Sequence, residues 1–329
     1  MFKAELFKQA IFKANAANFE QLALHLFAYQ AEQCSLYAQY LQLLKINPKR
    51  VKQLTDIPFL PIQFFKTHTI LCPPEVQVQR MFTSSGTTGT VTSCHYVHDT
   101  TLYEQSFTRG FEHFYGSAAN FCLLALLPAY MERTGSSLVY MARHLINQSG
   151  NPLSGFYLYD YKKLSQTLQL LNQGGQKTLL LGVSFALWDL AEQYPQPLPH
   201  TVIMETGGMK GKRPEIVRQQ LHHILSEAFG VAHIHSEYGM TELLSQAYSK
   251  GSGIYQPVPW LHAATRQIND PFEPAQYGET GQLCFIDLAN IHSCAFIATQ
   301  DVGRTFSDSS FEVLGRFDNS DVRGCNLMV

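Results

Sequence analysis

The chain has 329 residues, 45% hydrophobic and 15% charged; that is enough to bury a large core and to make about two domains of roughly 150 residues, and it excludes a peptide, a coiled coil or a disordered tail. Its 24 Lys plus Arg against 26 Asp plus Glu leave a net charge of −2, so no overall field draws it onto nucleic acid or anionic lipid. Any partner is met by a local site.

The first 45 residues carry apolar positions at helical spacing (Leu22, Leu26, Phe27, then Leu36, Tyr37, Tyr40, Leu41) and end at the Asn47-Pro48 breaker, which predicts a helical N-terminal lead. A turn-rich stretch with Pro58, Pro61, Pro73 and Pro74 follows, then a run of hydroxyls and glycines from Thr83 to Thr90. Apolar runs at 121–127, 177–183, 201–204 and 231–235 alternate with helical patterns at 136–147, 161–173 and 214–229, the signature of crossover units on a largely parallel sheet. Beyond Gly251 the helical period fades into short strand patterns at 281–288, 295–299 and 310–314. The expectation is an α/β core over residues 1–250 and a β-rich subdomain over 251–329.

The 7 cysteines are odd in number and form no CxxC pair, which predicts free thiols in a reducing, cytoplasmic setting and no zinc site. The N-terminus alternates charged and apolar residues, unlike a signal peptide, and no stretch approaches the roughly 18 apolar residues of a membrane span.

Two segments carry chemistry. In Thr83-Ser84-Ser85-Gly86-Thr87-Thr88-Gly89-Thr90 every residue is small, hydroxylic or glycine. Such a loop can offer hydroxyl donors and unobstructed backbone N–H groups to phosphate oxygens, with glycines allowing close approach; it also suits an ordinary flexible surface loop. It is not a Walker loop, since no GxxxxGK[ST] occurs. The second segment, His235-Ser236-Glu237-Tyr238-Gly239-Met240-Thr241-Glu242, follows an apolar run and is expected at the carboxyl edge of the sheet, where open α/β folds bind ligands. There Tyr238 can stack on a base, Thr241 can bond a phosphate and Glu242 can supply the hard oxygen ligand Mg²⁺ favours; a capped helix start is the competing reading.

SSGTTG, Gly207-Gly208, YGMTE, GETGQL (278–283), Asp301 and Gly315-Arg316-Phe317-Asp318 occur in the order found in adenylate-forming enzymes, which the chain resembles from about Phe82 to its end. It is most similar to the acyl-protein synthetase branch, through IPFLPIQFFKTH (57–68), LPAYMERTGSSLVYM (127–141) and DVRGCNL (321–327), and it also resembles phenylacetate–CoA ligase. The resemblance implies an α/β nucleotide-binding fold with a mostly parallel sheet flanked by helices, in which ATP activates a carboxylic acid, of fatty type in this branch, as an acyl-adenylate before a thiol takes the acyl group. It implies that the loop holds phosphates, that Tyr238 and Gly239 meet adenine beside Gly207 and Gly208, and that Asp301 and Arg316 grip the ribose. Glu242 would hold Mg²⁺.

The chain ends just after the 315–318 motif, so the small C-terminal domain with its catalytic lysine is expected to be absent. Another cation must then face the developing phosphorane charge; Lys210 and Arg133 are the candidates, with Lys212 and Arg213 beside them. The resemblance also implies that Cys325, near the C-terminus, accepts the acyl group, with Arg323 favouring its thiolate. An acyl-accepting reductase or carrier protein, or CoA, would be the onward partner. Two alternatives are a shortened acid–CoA ligase using free CoA and a non-catalytic nucleotide or acyl-carrier binding module.

Overall fold

The computed structural model describes residues 2–84, 91–128, 135–209 and 211–317. Its N-terminal lead is helical, as expected, at Ala4–Ile11, Phe19–Gln33 and Ser35–Leu43. The short strand β1 (Leu60–Pro61) and a separate antiparallel hairpin, β2 (Arg80–Thr83) with β3 (Cys94–Val97), precede the alternating region. That region holds β4 (Cys122–Leu126), β5 (Gly155–Phe156), β6 (Thr178–Val183), β7 (Thr201–Thr206) and β8 (His235–Tyr238), joined by helices at Ser137–Ser149, Tyr161–Gln173, Ser184–Gln193 and Arg218–Phe229. The remaining strands are β9 (Ala247–Ser249), β10 (Ile254–Pro257), β11 (Leu261–Arg266), β12 (Gly281–Asp287), β13 (Phe296–Thr305) and β14 (Phe311–Arg316).

The strands from β4 to β14 form one path. Its parallel half runs β5-β4-β6-β7-β8, and its antiparallel half continues β9-β10-β14-β13-β12-β11, with β1 added parallel to β13. Every residue of β4 and β6 is buried, which explains why both read as unbroken apolar runs: helices cover both faces of a parallel sheet. The lead docks on the antiparallel half. Gln30 donates to the Asn290 carbonyl at 2.9 Å and accepts from the Ala295 N–H at 2.9 Å, while the Tyr37 ring stacks on Phe296 with centroids 5.7 Å apart.

Three boundaries differ from the sequence pattern. The helix expected from Pro214 begins at Arg218, because Arg213 is held by Asp189 and Glu192 and Arg218 by Glu205, and the residues between bridge those anchors without helix. The strand expected at 231–235 is instead His235–Tyr238, set by its register on β7, where Met204 faces His235 and Thr206 faces Glu237. A helix at Thr100–Tyr115 went unseen, although Asp99 caps it through the Thr101 and Leu102 N–H groups.

Gly281 of the GETGQL motif has a structural cause. A Cβ there would collide with the Arg266 carbonyl across the β11–β12 pair, and backbone cannot yield as a flexible side chain does. Gly281→Ala is expected to lower stability by about 1–3 kcal/mol in chemical denaturation, the usual cost of overpacking; an unchanged midpoint would contradict this.

Candidate active site

The hydroxyl-rich loop is the tip of the β2–β3 hairpin. Its two ends are tied together: the Ser84 N–H donates to the Ser93 carbonyl at 3.0 Å, the Ser93 N–H donates to Ser84 Oγ at 2.9 Å, and the Thr83 N–H donates to the Gly135 carbonyl at 2.8 Å. Ser85, Gly86, Thr87, Thr88 and Gly89 lie outside the described residues, so the structure speaks for the loop's base.

That base sits against the second motif. Buried His95, on β3, donates from Nδ1 to the Thr241 carbonyl at 2.8 Å; burial pulls its pKa down to about 4, so it is a neutral donor at ordinary pH. The Ser93 hydroxyl faces the Glu242 carboxyl, whose pKa is raised by burial against that hydrogen bond. Behind Glu242, the Asn290 side chain donates to the Glu242 carbonyl at 2.8 Å, and Asp287 accepts from the Leu244 N–H at 2.7 Å. Residues 239–246 therefore form a fixed turn, and no helix starts there.

Between the two motifs lies a cleft of about 520 Å³, lined in part by Thr83, Ser84, Gly207, Gly239, Thr241, Glu242 and Arg316. Tyr238 ends β8 beside it and donates to Asp301 Oδ2 at 2.7 Å. Asp301 and Arg316 are cross-strand partners on β13 and β14, with Arg316 Nε 3.8 Å from Asp301 Oδ1; Arg316 is 66% exposed, so this pair adds little stability. Gly207 takes a φ of 71° at the end of β7, a conformation that favours glycine. Gly208 is half-buried beside it.

The expected cations fare differently. Lys210 and Arg133 lie outside the described residues, as does Cys325. Lys212 is exposed. Arg213 is already spent: its guanidinium bonds Asp189 at 2.7 Å and Glu192 at 2.5 Å and lies 4.3 Å from the Trp188 ring centroid. Among the described residues the cations lining the cleft are Arg316 and Lys66. Sequence reasoning missed Lys66, although it lies in the quoted 57–68 segment.

It also missed Glu237, which turns from β8 toward the cleft and toward an apolar pocket behind it that includes Met141, Leu181 and Tyr248. Thr206 donates to its Oε2 at 2.5 Å. Burial raises its pKa to about 7 from 4.5, and the groups that feel its charge are Tyr103, Tyr115, Tyr248 and Tyr255, none of them a cation. A folded-state pKa above the unfolded one means stability is lost as pH rises from about 4.5 to about 7. Glu237→Gln is therefore expected to match wild type at pH 4 and to exceed it at pH 8, by on the order of 3 kcal/mol; equal melting temperatures at both pH values would contradict this.

The described residues contain no group of three or more His, Cys, Asp or Glu able to hold a metal, and no helix among them is long and apolar enough to cross a membrane. One buried carboxylate, Glu242, beside Ser93 and the Thr83 and Ser84 loop base is an all-oxygen set that fits Mg²⁺, which keeps most of its ligands as water and phosphate.

The sequence matches the family model described as acyl-protein synthetase, LuxE, over residues 7–329. A long-chain-fatty-acid–luciferin-component ligase of Photorhabdus luminescens is 33% identical over 70 residues, which cover 21% of this chain and 60% of that protein. Among solved structures, an open conformation of 2-hydroxyisobutyryl-CoA ligase with 2-HIB-AMP and CoA superposes with a TM-score of 0.63 at 12% identity, over 93% of this chain and 76% of that one. ATP-bound MatB from Rhodopseudomonas palustris gives 0.55 at 16% identity, over 73% of this chain and 48% of that one. At such identities the structural likeness shows a shared fold, that of adenylate-forming ligases.

Proposed function

The chain belongs to the LuxE acyl-protein synthetase family, and on that premise we propose that its cleft binds ATP, adenylates a carboxylic acid and passes the acyl group to a thiol, Cys325. The single observation that carries the reading is the bond from His95 to the Thr241 carbonyl, which joins the base of the hydroxyl-rich loop to the motif holding Tyr238 and Glu242.

In the first step a carboxylate oxygen of the acid attacks the α-phosphorus of ATP; a P–O bond forms to give the acyl-adenylate, and the P–O bond to pyrophosphate breaks. The Thr83 and Ser84 N–H groups are committed to the Gly135 and Ser93 carbonyls, so the N–H and hydroxyl donors for the departing phosphates are those of Ser85 to Gly89. Lys66, with Lys210 and Arg133 as further candidates, sets positive charge around the developing phosphorane, the kind of preorganised charge that gives the largest catalytic effect, while Arg316 stays with Asp301 at the ribose. Tyr238, Gly207, Gly208 and Gly239 form the adenine side, and Asp301 takes the ribose hydroxyls. Glu242 would hold Mg²⁺, whose charge offsets that of the phosphates when bound.

In the second step the Cys325 thiolate, its proton lost to solvent, attacks the acyl carbonyl carbon; a C–S bond forms and AMP leaves. Phe317 lines the cleft and Cys325 is eight residues further on, within about 28 Å at full extension. The acid implied by the family is fatty. A reductase or acyl carrier would take the group onward, and the cytoplasm is the expected compartment.

The test is intact-mass spectrometry after incubation with ATP, Mg²⁺ and a mixture of acids. A mass increase equal to one acyl group, located at Cys325 by digestion, is expected. A CoA thioester formed with no label on the protein would select the CoA-ligase reading instead.

A further inference from the structure

Resting on the adenylation reading above, with Asp301 and Arg316 as the ribose side, we infer that Arg218 and the buried Glu205 are positioning residues for nucleotide selectivity. From behind the cleft they hold the end of β14, and so Arg316, against the Gly207 end of β7. Arg218 is the first residue of the Arg218–Phe229 helix, whose first turn has no acidic residue. A cation there opposes the helix macrodipole, so something other than the helix holds it. That group is Glu205, 5% exposed on β7. Its Oε1 accepts from Arg218 Nε at 3.2 Å, from His222 Nε2 at 3.0 Å and from the Ser236 hydroxyl at 3.0 Å, and its Oε2 accepts from the Ser184 hydroxyl at 3.0 Å.

Two of these partners reach the cleft walls. The Ser184 hydroxyl also lies 3.4 Å from the Gly207 carbonyl. Arg218 Nη1 donates to the Val313 carbonyl at 3.3 Å, and its guanidinium stands 5.3 Å from the Tyr255 ring centroid. Val313 is the point where β14 leaves its neighbour, because the pairing with β10 ends at Glu312. The residue that would carry the next rung is Gly253, at a φ of 72°, and Arg218 takes that place, with Nη1 3.5 Å from where a Gly253 Cβ would be. On the other side the register slips at Leu314, since Gly303 faces Val313 while Val302 faces Gly315. A bulge of this kind re-aims the side chains beside it, and the next pair beyond it is Asp301 with Arg316. Past the bulge β14 stays on β13, through the Phe317 N–H donating to the Gln300 carbonyl at 2.8 Å, so Asp301 and Arg316 form one unit. Arg218 ties that unit directly to β7. The planar guanidinium reaches both acceptors at once, which a single ammonium does not.

The experiment is calorimetric titration of the full-length protein with the Mg²⁺ complexes of ATP and 2′,3′-dideoxy-ATP, in wild type, Arg218→Met, Asp301→Ala and the double variant. The Arg218 side chain is 30% exposed, and methionine keeps an apolar stem beside Tyr255. Wild type should bind ATP about 10- to 100-fold more tightly than the dideoxy analogue, the range expected of a hydrogen bond to a charged group. In Arg218→Met that ratio should fall by about three- to tenfold, with faster amide hydrogen exchange across 313–316 and none in β6. Asp301→Ala should bring the ratio near one, and adding Arg218→Met should change it no further, the mark of action through the ribose pair rather than of general loosening. A wild-type ratio in Arg218→Met, or a further drop on top of Asp301→Ala, overturns the inference and leaves the nucleotide site standing. If Arg218→Met does not fold, Glu205→Gln cuts the same tie from its other end and is held to the same ratios. ATP bound by wild type with no preference over the analogue removes the ribose grip and this inference with it, whereas no binding of ATP removes the adenylation reading itself.

Discussion

Cys325→Ser is expected to exchange pyrophosphate into ATP at the wild-type rate in the presence of its acid, and to lose the hydroxylamine-labile acyl label by more than about a thousandfold. The two half-reactions separate because only the second needs a nucleophile from the protein. A thiol with an ordinary pKa near 8.5 supplies a few per cent of thiolate at neutral pH, whereas a serine hydroxyl supplies essentially none without a neighbouring base. Tethering also matters, because a nucleophile eight residues from a cleft-lining Phe317 acts at an effective concentration in the millimolar range. Equal labelling of the serine variant would end the acceptor role, while loss of exchange along with label would move Cys325 into the adenylation step.

Glu242→Gln is expected to cut acid-dependent pyrophosphate exchange by about a hundred- to a thousandfold, the usual effect of removing one preorganised electrostatic group, and to weaken the dependence on Mg²⁺ concentration. The amide keeps the shape of the buried side chain. The turn itself is held through the backbone by Asn290 and Asp287, so the melting temperature should stay close to that of wild type. Wild-type exchange and an unchanged Mg²⁺ titration in this variant would remove Glu242 from the site.

The crossover strands were legible because β4 and β6 are buried on both faces and therefore apolar throughout. The hydroxyl-rich loop and the YGMTE segment stood out because their composition makes no sense as core, and the structure brings the base of one to the other through His95 and Ser93. Less visible were residues whose meaning depends on distant partners. Glu237 reads as an ordinary polar strand residue until Tyr248 comes in beside it from β9. Lys66 is one lysine among many until the 57–68 segment is laid along the cleft. Arg213 shows the reverse, since its place in a basic run suggested a phosphate ligand, but Asp189, Glu192 and Trp188 from the preceding helix hold it elsewhere. The helix at Thr100–Tyr115 was hidden because its polar residues dilute the apolar stripe of Leu102, Phe107 and Phe111.

Hydrogen exchange of backbone amides with and without ATP and Mg²⁺ puts the shared nucleotide site to the most direct test. Protection is expected at two separate places, the hairpin tip across 83–93 and the turn across 238–246, with the Ser184–Gln193 helix as an unaffected internal control. Protection at neither, or heat-free titration of ATP into the protein, would contradict it.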